Sequence, residues 1–236
     1  MFLFYYSTGK REIQLGQKQT TDISFCLLLI QADENNIFRK DELVMKKKLA
    51  IFFPGRRYGV DCPLLYYSDL ICKGAEYDTM YLHYAAHREE KSEMTIYEDI
   101  ENAWRYVYER LKDVNVKEYG DIIFVSKSIG TVLASMAQIR LQAQVRNVYF
   151  TPLEPTLPYL AEKRLNRPED NLVIAGTKDR FLEAEKLRKV CSSENIKLKQ
   201  FEGLGHSMEA EEIMETIEII KEIIKEVQKF IISFDF

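Results

Sequence analysis

From residue 49 onward, short apolar runs alternate with longer amphipathic segments. This alternation is typical of βαβ units, in which helices pack on a mostly parallel sheet. Lysine and glutamine alternate with Leu198 and Phe201 in the last run, which indicates an exposed strand near the sheet edge. The strand candidates are Leu49–Phe53, Met80–Tyr84, Ile122–Val125, Val148–Phe150, Leu172–Ala175 and Lys197–Phe201.

Helix candidates fill the segments around these strands. They are Pro63–Cys72, Ile96–Leu111, Gly130–Gln142, Tyr159–Leu165, Ala184–Cys191 and Glu211–Phe230. In the last of them apolar residues recur at steps of three and four, namely Ile213, Ile217, Ile220, Ile224, Val227 and Ile231. We expect this stripe to pack on the sheet, since Glu and Lys fill the opposite face; partner binding is the alternative. The pattern predicts an α/β fold with a mostly parallel, twisted sheet of about six to eight strands and helices on both faces.

Residues 1–44 lie outside this alternation. They contain weak strand candidates at Phe2–Tyr6 and Ile23–Ile30, joined by a polar stretch rich in Gln and Thr. One interpretation is a leading antiparallel hairpin on the sheet. The other, which we favour, takes Met45 as the true start and the preceding residues as an over-extended reading frame, because three lysines follow it directly before the first strong strand. The predicted main domain covers residues 45–236.

Composition and charge narrow the classes of function. The 236 residues are 46% hydrophobic and 12% aromatic, enough for one large α/β domain with a sizeable core. The formal charge of −4 comes from 33 basic and 37 acidic residues that are spread along the chain. No basic stripe indicates nucleic acid, and we expect a small-molecule partner. The sequence leaves the oligomeric state open.

Cysteine usage and the N-terminal pattern give no sign of a metal, a cofactor or a membrane. The cysteines are scattered without a C-x-x-C pair, at Cys26, Cys62, Cys72 and Cys191. We therefore expect reduced thiols and neither a zinc site nor a redox motif. The apolar stretch Phe25–Ile30 is too short to span a bilayer, and the start lacks the features of a signal peptide. These observations predict a cytoplasmic protein.

A serine lies at a predicted strand-to-helix turn. The segment Ser126-Lys127-Ser128-Ile129-Gly130 follows the apolar run Ile122–Val125 and leads into a helical pattern. Small residues two before and two after Ser128 allow helix and strand backbones to approach closely at a strained turn. This arrangement exposes a nucleophile, so Ser128 is a candidate catalytic residue.

A nucleophilic serine needs a base, and an acid that orients the base. Only three histidines exist, at His83, His87 and His206. His206 lies in a Gly-Leu-Gly-His-Ser segment after the last predicted strand and before the last helix, whereas His83 lies within a strand pattern and His87 at its polar exit. A single histidine is usually structural, but the position of His206 favours a catalytic base.

Two acidic residues compete for the third role. Asp179 follows the strand candidate Leu172–Ala175 through a small loop that contains Gly176. Glu154 follows the preceding strand and carries less weight. An aspartate in a loop is usually only solvated, but Asp179 comes between serine and histidine at a strand end.

The oxyanion formed by serine attack needs two backbone N–H donors. We expect one from Ile129, at the start of the helix after the serine. The loop from Pro54 to Gly59 follows the first strong strand, and its Gly55 makes Arg56 the second expected donor. Arg57 and Tyr58 of this loop are candidates for substrate contact, although paired arginines are more often only exposed. Neither a P-loop nor a G-x-G-x-x-G motif occurs.

Over residues 49–236 the chain resembles the α/β-hydrolase superfamily, in particular its small, cap-poor members of the dienelactone-hydrolase and esterase type. The resemblance rests on the Ser-x-Ser-x-Gly elbow, the Gly-Thr-Lys-Asp loop and the Gly-Leu-Gly-His loop in matching order. It implies Ser128 as nucleophile, His206 as base and Asp179 as acid, with Ile129 and Arg56 as oxyanion donors. It also implies hydrolysis of an ester or thioester without a cofactor or metal.

The chain departs from this family pattern at two places. Ser126 replaces the usual first glycine of the elbow, and Pro54 stands where many members carry a histidine. Dienelactone hydrolases proper use a cysteine nucleophile, and no cysteine occupies the elbow here. About twenty residues separate Thr151 from Asp170, too few for a large lid. An acyltransferase with the same triad and a non-catalytic binding protein of this fold remain as alternatives.

Overall fold

A computed structural model describes residues 46–84, 95–162 and 167–233. Within these ranges six strands form one sheet in the order β2-β1-β3-β4-β5-β6, and every neighbouring pair is parallel. The strands are β1 (Lys47–Phe53), β2 (Tyr77–Tyr81), β3 (Tyr119–Lys127), β4 (Arg146–Phe150), β5 (Asn171–Gly176) and β6 (Lys197–Phe201). From β1 the chain adds β2 on one side of the sheet and β3 to β6 on the other. The loops after the neighbouring strands β1 and β3 therefore leave in opposite directions and flank a crevice at the carboxyl ends of the strands.

Helices cover both faces of the sheet, as the sequence predicts. They are α1 (Pro63–Gly74), α2 (Ile96–Leu111), α3 (Ile129–Leu141), α4 (Leu157–Leu160), α5 (Ala184–Ser193) and α6 (Ile213–Ile232). Helices α1 and α6 pack on one face against Ala50, Phe52 and Ile123. On the other face, α2 and α3 pack against Ile51 and Phe53, and α5 packs against the strands at the far end. This alternation of side chains across each strand places a separate apolar core on each face.

The predicted hairpin residues Phe2–Tyr6 and Ile23–Ile30 lie outside the described residues, as do Cys26 and His87. The interpretation of Met45 as the true start therefore stays a prediction. So does the division of the chain at residue 45.

Strand β6 has the predicted bounds and lies at the edge of the sheet. Strand β2 differs from its prediction, because it covers Tyr77–Tyr81 and not Met80–Tyr84. The apolar run continues past the strand for a structural reason. Leu82 and Tyr84 are buried against the helices on one face of the sheet, so hydrophobicity alone does not mark the end of the strand.

The short connection after β4 also differs from its prediction. Helix α4 covers Leu157–Leu160 and ends before most of the predicted segment Tyr159–Leu165, of which residues 163–165 lie outside the described part. Prolines at 155 and 158 start one 3₁₀ turn and one helical turn, respectively. Over 151–162 and 167–170 the described chain forms only such single turns, so these residues form no lid domain.

The predicted apolar stripe of α6 is wrong at its N-terminal end. Ile213 and Ile217 are 75% and 48% exposed, whereas the buried side chains are Ile223, Val227, Phe230 and Ile231. Isoleucine pairs such as 223/224 and 231/232 fit two neighbouring stripes equally well, and contact with the sheet selects one of them. Neither α6 nor any other helix in the described part has the length and apolar character to cross a membrane.

Arg146, the first residue of β4, anchors the C-terminal end of α6 near the amino ends of the strands. Its guanidinium donates to the carbonyl oxygens of Phe230 at 2.9 Å and Ile231 at 3.3 Å, and it pairs with Asp121 at 2.6 Å. These bonds satisfy carbonyls that the helix end leaves without a partner. The crevice lies at the carboxyl ends of the strands and is thus separate from this anchor.

Candidate active site

Ser128 lies at the turn between β3 and α3 in a strained backbone conformation. Its φ is 56° and its ψ is −122°, a region that non-glycine residues rarely adopt. Such a residue costs about 1–3 kcal/mol and persists only where its surroundings hold it. Here its N–H donates to the Phe150 carbonyl at 3.0 Å, and its carbonyl accepts from the Thr131 N–H at 2.9 Å and hydroxyl at 2.7 Å.

The small residues on either side of Ser128 have separate structural reasons. A Cβ added to Gly130 would lie 2.1 Å from the Phe53 carbonyl oxygen, so only glycine allows α3 to approach β1 this closely. Ser126 is fully buried, and its hydroxyl donates to the Val148 carbonyl at 3.0 Å. A hydroxyl that stays hydrogen-bonded to β4 explains how serine replaces glycine at this position.

His206 comes from the loop between β6 and α6 and reaches Ser128. Its Nε2 lies 2.8 Å from the Ser128 Oγ. Gly203 opens this loop at a φ of 76°, and the ring of Phe181 packs edge-on against the imidazole with 4.6 Å between centroids. The imidazole is therefore held on one side by an aromatic ring and faces the serine with one nitrogen.

Asp179 contacts the other imidazole nitrogen of His206. Its Oδ2 lies 2.7 Å from the His206 Nδ1, and its Oδ1 accepts from the Phe181 N–H at 2.9 Å. The carboxylate is almost completely buried, with 2% of the side chain exposed. Both oxygens are hydrogen-bonded, which is what a buried carboxylate requires.

Close backbone contact brings the Asp179 loop to the His206 loop. A Cβ on Gly176 would lie 2.1 Å from the Leu204 carbonyl oxygen. Lys178 N–H donates to the same carbonyl at 2.8 Å. The glycine at the end of β5 therefore sets the distance between the acid and the imidazole.

The other candidates for base and acid lie elsewhere. Glu154 pairs with Lys186, and its side chain is 61% exposed. His83 lies past the end of β2 instead of within a strand, is exposed, and has the ring of Tyr81 as its neighbour. The structure thus brings together Ser128, His206 and Asp179, and leaves Glu154 outside this set.

The two expected oxyanion donors both border the same cavity as Ser128. The N–H groups of Ile129 and Arg56 donate to no protein acceptor within the described ranges. The loop that carries Arg56 is fixed at several points: Gly55 N–H donates to the Tyr58 carbonyl at 2.8 Å, and the Tyr84 hydroxyl donates to the Pro54 carbonyl. Arg56 Nε also lies 3.3 Å from the buried carboxylate of Asp99 on α2.

The cavity in front of Ser128 has a volume of about 630 Å³. Arg57 and Tyr58, the two candidates for substrate contact, both line it. Its other lining residues are apolar, basic or glycine, apart from Ser207 and the serine and histidine described above. They are Gly55, Arg56, Ile96, Lys127, Ile129, Leu153, Lys178, Arg180, Phe181 and Gly205.

The phenol of Tyr58 is partly buried beside the cavity. Burial raises its pKa well above the ordinary value for tyrosine, and its oxygen accepts from the Leu64 N–H at 2.9 Å.

Lys127, the residue before Ser128, is a feature that sequence reasoning did not single out. It is 1% exposed, and its Nζ donates to the Thr151 hydroxyl and, at 2.7 Å, to the His206 carbonyl. The ammonium also lies 5.2 Å from the centre of the Tyr58 ring. Burial lowers the pKa of Lys127 to about 8, with Asp179 and Glu209 acting in the opposite direction. The only signal in the sequence is a charged residue at the end of an apolar strand.

Comparison with protein-family models and with curated protein sequences gives no match. Solved structures do match. Est1E from Butyrivibrio proteoclasticus is 13% identical with a TM-score of 0.52, over 82% of this chain and 90% of its own. An α/β serine hydrolase homologue from Coxiella burnetii is 12% identical with a TM-score of 0.53, over 76% of this chain and 84% of its own.

A member of the α/β serine hydrolases without a lid, from Xanthomonas campestris, is 11% identical with a TM-score of 0.54. The match covers 80% of this chain and 83% of that protein. At these identities the likeness concerns the backbone and carries no statement about substrate. Together with the parallel sheet and the helices on its two faces, it confirms the fold predicted from the sequence: the chain has the α/β-hydrolase fold.

Proposed function

We propose that the protein is a serine hydrolase that cleaves an ester or thioester of a small to medium substrate. One observation carries the proposal: two short contacts link the Ser128 hydroxyl through His206 to the buried Asp179, at 2.8 Å and 2.7 Å, in the wall of a cavity. A serine hydroxyl becomes a useful nucleophile only when an oriented base accepts its proton.

In the proposed reaction the Ser128 oxygen attacks the acyl carbonyl carbon while its proton passes to His206 Nε2. The bond to the leaving group then breaks, and the same proton goes to the leaving alcohol or thiol. Water next attacks the acyl carbon and gives a proton to His206 Nε2. The bond between the acyl carbon and the Ser128 oxygen then breaks, His206 returns the proton to that oxygen, and the acid is released. Throughout, the Asp179 carboxylate accepts a hydrogen bond from the Nδ1–H of His206, which leaves Nε2 as the nitrogen that takes up the proton and stabilises the imidazolium.

Serine attack places a negative charge on the carbonyl oxygen of the substrate. In the proposed reaction, the backbone N–H groups of Ile129 and Arg56 donate hydrogen bonds to this oxygen. Both are uncommitted to protein acceptors in the described part of the chain and border the cavity. Fixed donors of this kind need no reorganisation as charge develops. The anchoring of Arg56 by Asp99 supports this role, because it limits movement of the loop.

The size of the cavity supports the proposed size of the substrate. A volume of about 630 Å³ suits a ligand of small to medium size, since pockets for such ligands span roughly 300–1,000 Å³. Est1E has also been solved with ferulic acid bound. Feruloyl esters therefore belong in the first substrate panel, beside p-nitrophenyl esters and simple thioesters.

Replacement Ser128→Ala is expected to abolish turnover of the best substrate of that panel. Loss of the serine from a working triad costs on the order of a million-fold in kcat, so only background hydrolysis should remain. The wild type should react with a fluorophosphonate at Ser128, and the variant should not. Ser192→Ala, at an exposed serine on α5, is the matched control and should keep both properties. Undiminished hydrolysis by Ser128→Ala would exclude the proposed nucleophile. Transfer of the acyl group by the wild type to an added alcohol, in preference to water, would indicate an acyltransferase.

The paired variants Asp179→Asn and Glu154→Gln test the choice of acid. Asparagine keeps the shape of Asp179 but favours the wrong tautomer of His206, so kcat should fall on the order of 10³–10⁴-fold. Glu154→Gln breaks only an exposed ion pair with Lys186, and we expect less than about a twofold change. Steady-state kinetics of both purified variants provide the measurement. The reverse order of effects would make Glu154 the acid and overturn the assignment.

A further inference from the structure

The cavity differs in charge from the chain as a whole. Among the described residues that line it, arginine and lysine are frequent and aspartate and glutamate are absent. The chain overall carries more acidic than basic residues and a formal charge of −4. The basic lining residues are Arg56, Arg57, Lys127, Lys178 and Arg180. Positive side chains are thus concentrated around the cavity, where they act on an approaching substrate.

Three of these cations are available to a ligand. Arg56 pairs with Asp99, and the Lys127 ammonium is committed to Thr151 and to the His206 loop. The side chains of Arg57, Lys178 and Arg180 have no carboxylate partner in the part of the chain that the structure describes, and all three residues are exposed. Arg180 is further ordered by stacking, since its guanidinium carbon lies 4.8 Å from the centre of the Phe181 ring.

The same cavity offers apolar surface next to the serine. Ile129 and Leu153 are buried, and Phe181 is partly exposed beside His206. An apolar acyl chain or leaving group can therefore rest on this surface while a charged group reaches the rim. Arginine and lysine side chains at the rim of a cavity bind carboxylate and phosphate oxygens through charge-assisted hydrogen bonds.

We propose that the substrate is an ester or thioester that carries an anionic group, a carboxylate or a phosphate, which Arg57, Lys178 and Arg180 bind at the rim of the cavity. This inference rests on the proposed serine-hydrolase function. It adds a specificity that the triad alone does not provide, because the catalytic groups act only on the acyl carbonyl.

The test compares two matched substrate pairs. Mono-p-nitrophenyl adipate and p-nitrophenyl hexanoate differ by a carboxylate at the end of the acyl chain. Hexanoyl-coenzyme A and the thioester of hexanoate with N-acetylcysteamine differ in the phosphates of the leaving group. We expect kcat/KM to favour the anionic member of at least one pair on the order of tenfold, since each exposed cation contributes about 1.5- to 5-fold. The pair that shows the preference identifies the side of the substrate that carries the anion, and the preference should weaken with added salt.

A triple variant assigns this preference to the rim. Arg57→Gln/Lys178→Gln/Arg180→Gln should remove most of it. The control triple Arg105→Gln/Lys189→Gln/Lys221→Gln removes the same net charge from exposed positions outside the cavity and should retain it. Equal kcat/KM within both pairs for an enzyme that cleaves the neutral esters would overturn the inference and leave the hydrolase proposal intact. Failure to cleave any ester, with no labelling of Ser128, would overturn both.

Lys127 differs from the exposed cations of the rim because it is buried. Its ammonium is buried between the elbow and the His206 loop, and no carboxylate lies within ion-pair distance of it among the described residues. Burial of a charge without a counter-charge opposes folding. An apolar residue would therefore fit this position better if stability alone were at stake. What the ammonium adds is a bridge from the residue next to Ser128 to the backbone oxygen of His206.

We infer that Lys127 is a positioning residue that fixes the His206 loop relative to the nucleophile. Lys127→Met keeps the apolar stem and removes the bridge. A small misplacement of a catalytic group costs on the order of 10²-fold in rate, so kcat for p-nitrophenyl hexanoate should fall by about ten- to a hundred-fold. Hydrogen exchange over residues 203–208 should become faster. The melting temperature at pH 7 should be no lower than that of the wild type.

Two further variants complete this experiment. Lys127→Arg keeps a charged donor and should recover part of the lost kcat, and Lys197→Met, at an exposed lysine of β6, should behave as the wild type. A merely structural lysine would give the opposite pattern, with a lower melting temperature and an unchanged kcat in the folded protein. That result, or unchanged exchange over 203–208, would overturn the inference.

Discussion

The backbone of Ser128 is the constraint on which the candidate site depends. With φ at 56°, the turn from β3 into α3 projects the hydroxyl toward the crevice. The conformation is held by hydrogen bonds to Phe150 and Thr131, and by the close contact of Gly130 with the Phe53 carbonyl. The strain is thus compensated by contacts of α3 with β1 and β4, the two neighbours of β3 in the sheet. All strands of a parallel sheet end on the same side. The loops after β5 and β6 therefore bring Asp179 and His206 close to Ser128.

The electrostatic arrangement around this turn separates two kinds of charge. Asp179 is buried and both its oxygens are hydrogen-bonded, so its charge acts on His206 and is shielded from solvent. The cations lie around the cavity and, apart from Arg56 and Lys127, have no committed acceptor in the described part of the chain. In the proposed function, the cations around the cavity attract the anionic group of the substrate, and the buried Asp179 orients the imidazole of His206.

Much of this organisation could be predicted from the sequence, because it depends on local patterns. Apolar runs located all six described strands, and the positions of Ser128, Asp179 and His206 relative to them indicated the set that the structure brings together. Boundaries were harder to predict where an apolar run outlasts its strand, as at Leu82 and Tyr84. The stripe of α6 was ambiguous because adjacent isoleucines satisfy two helical faces, and only packing on the sheet selects Ile223 over its neighbour Ile224. Lys127 could not be assigned, since its partners Thr151 and His206 are distant in sequence.

The proposed mechanism requires that the Ser128 oxygen becomes acylated during turnover. It is tested most directly by mixing the wild-type protein with p-nitrophenyl hexanoate, quenching in acid within the first turnovers, and mapping the acyl group by peptide mass spectrometry. The proposed mechanism predicts a hexanoyl group on the peptide that contains Ser128, formed at least as fast as steady-state turnover. Steady turnover with no acyl group on that peptide, or with the acyl group on another residue, would contradict it.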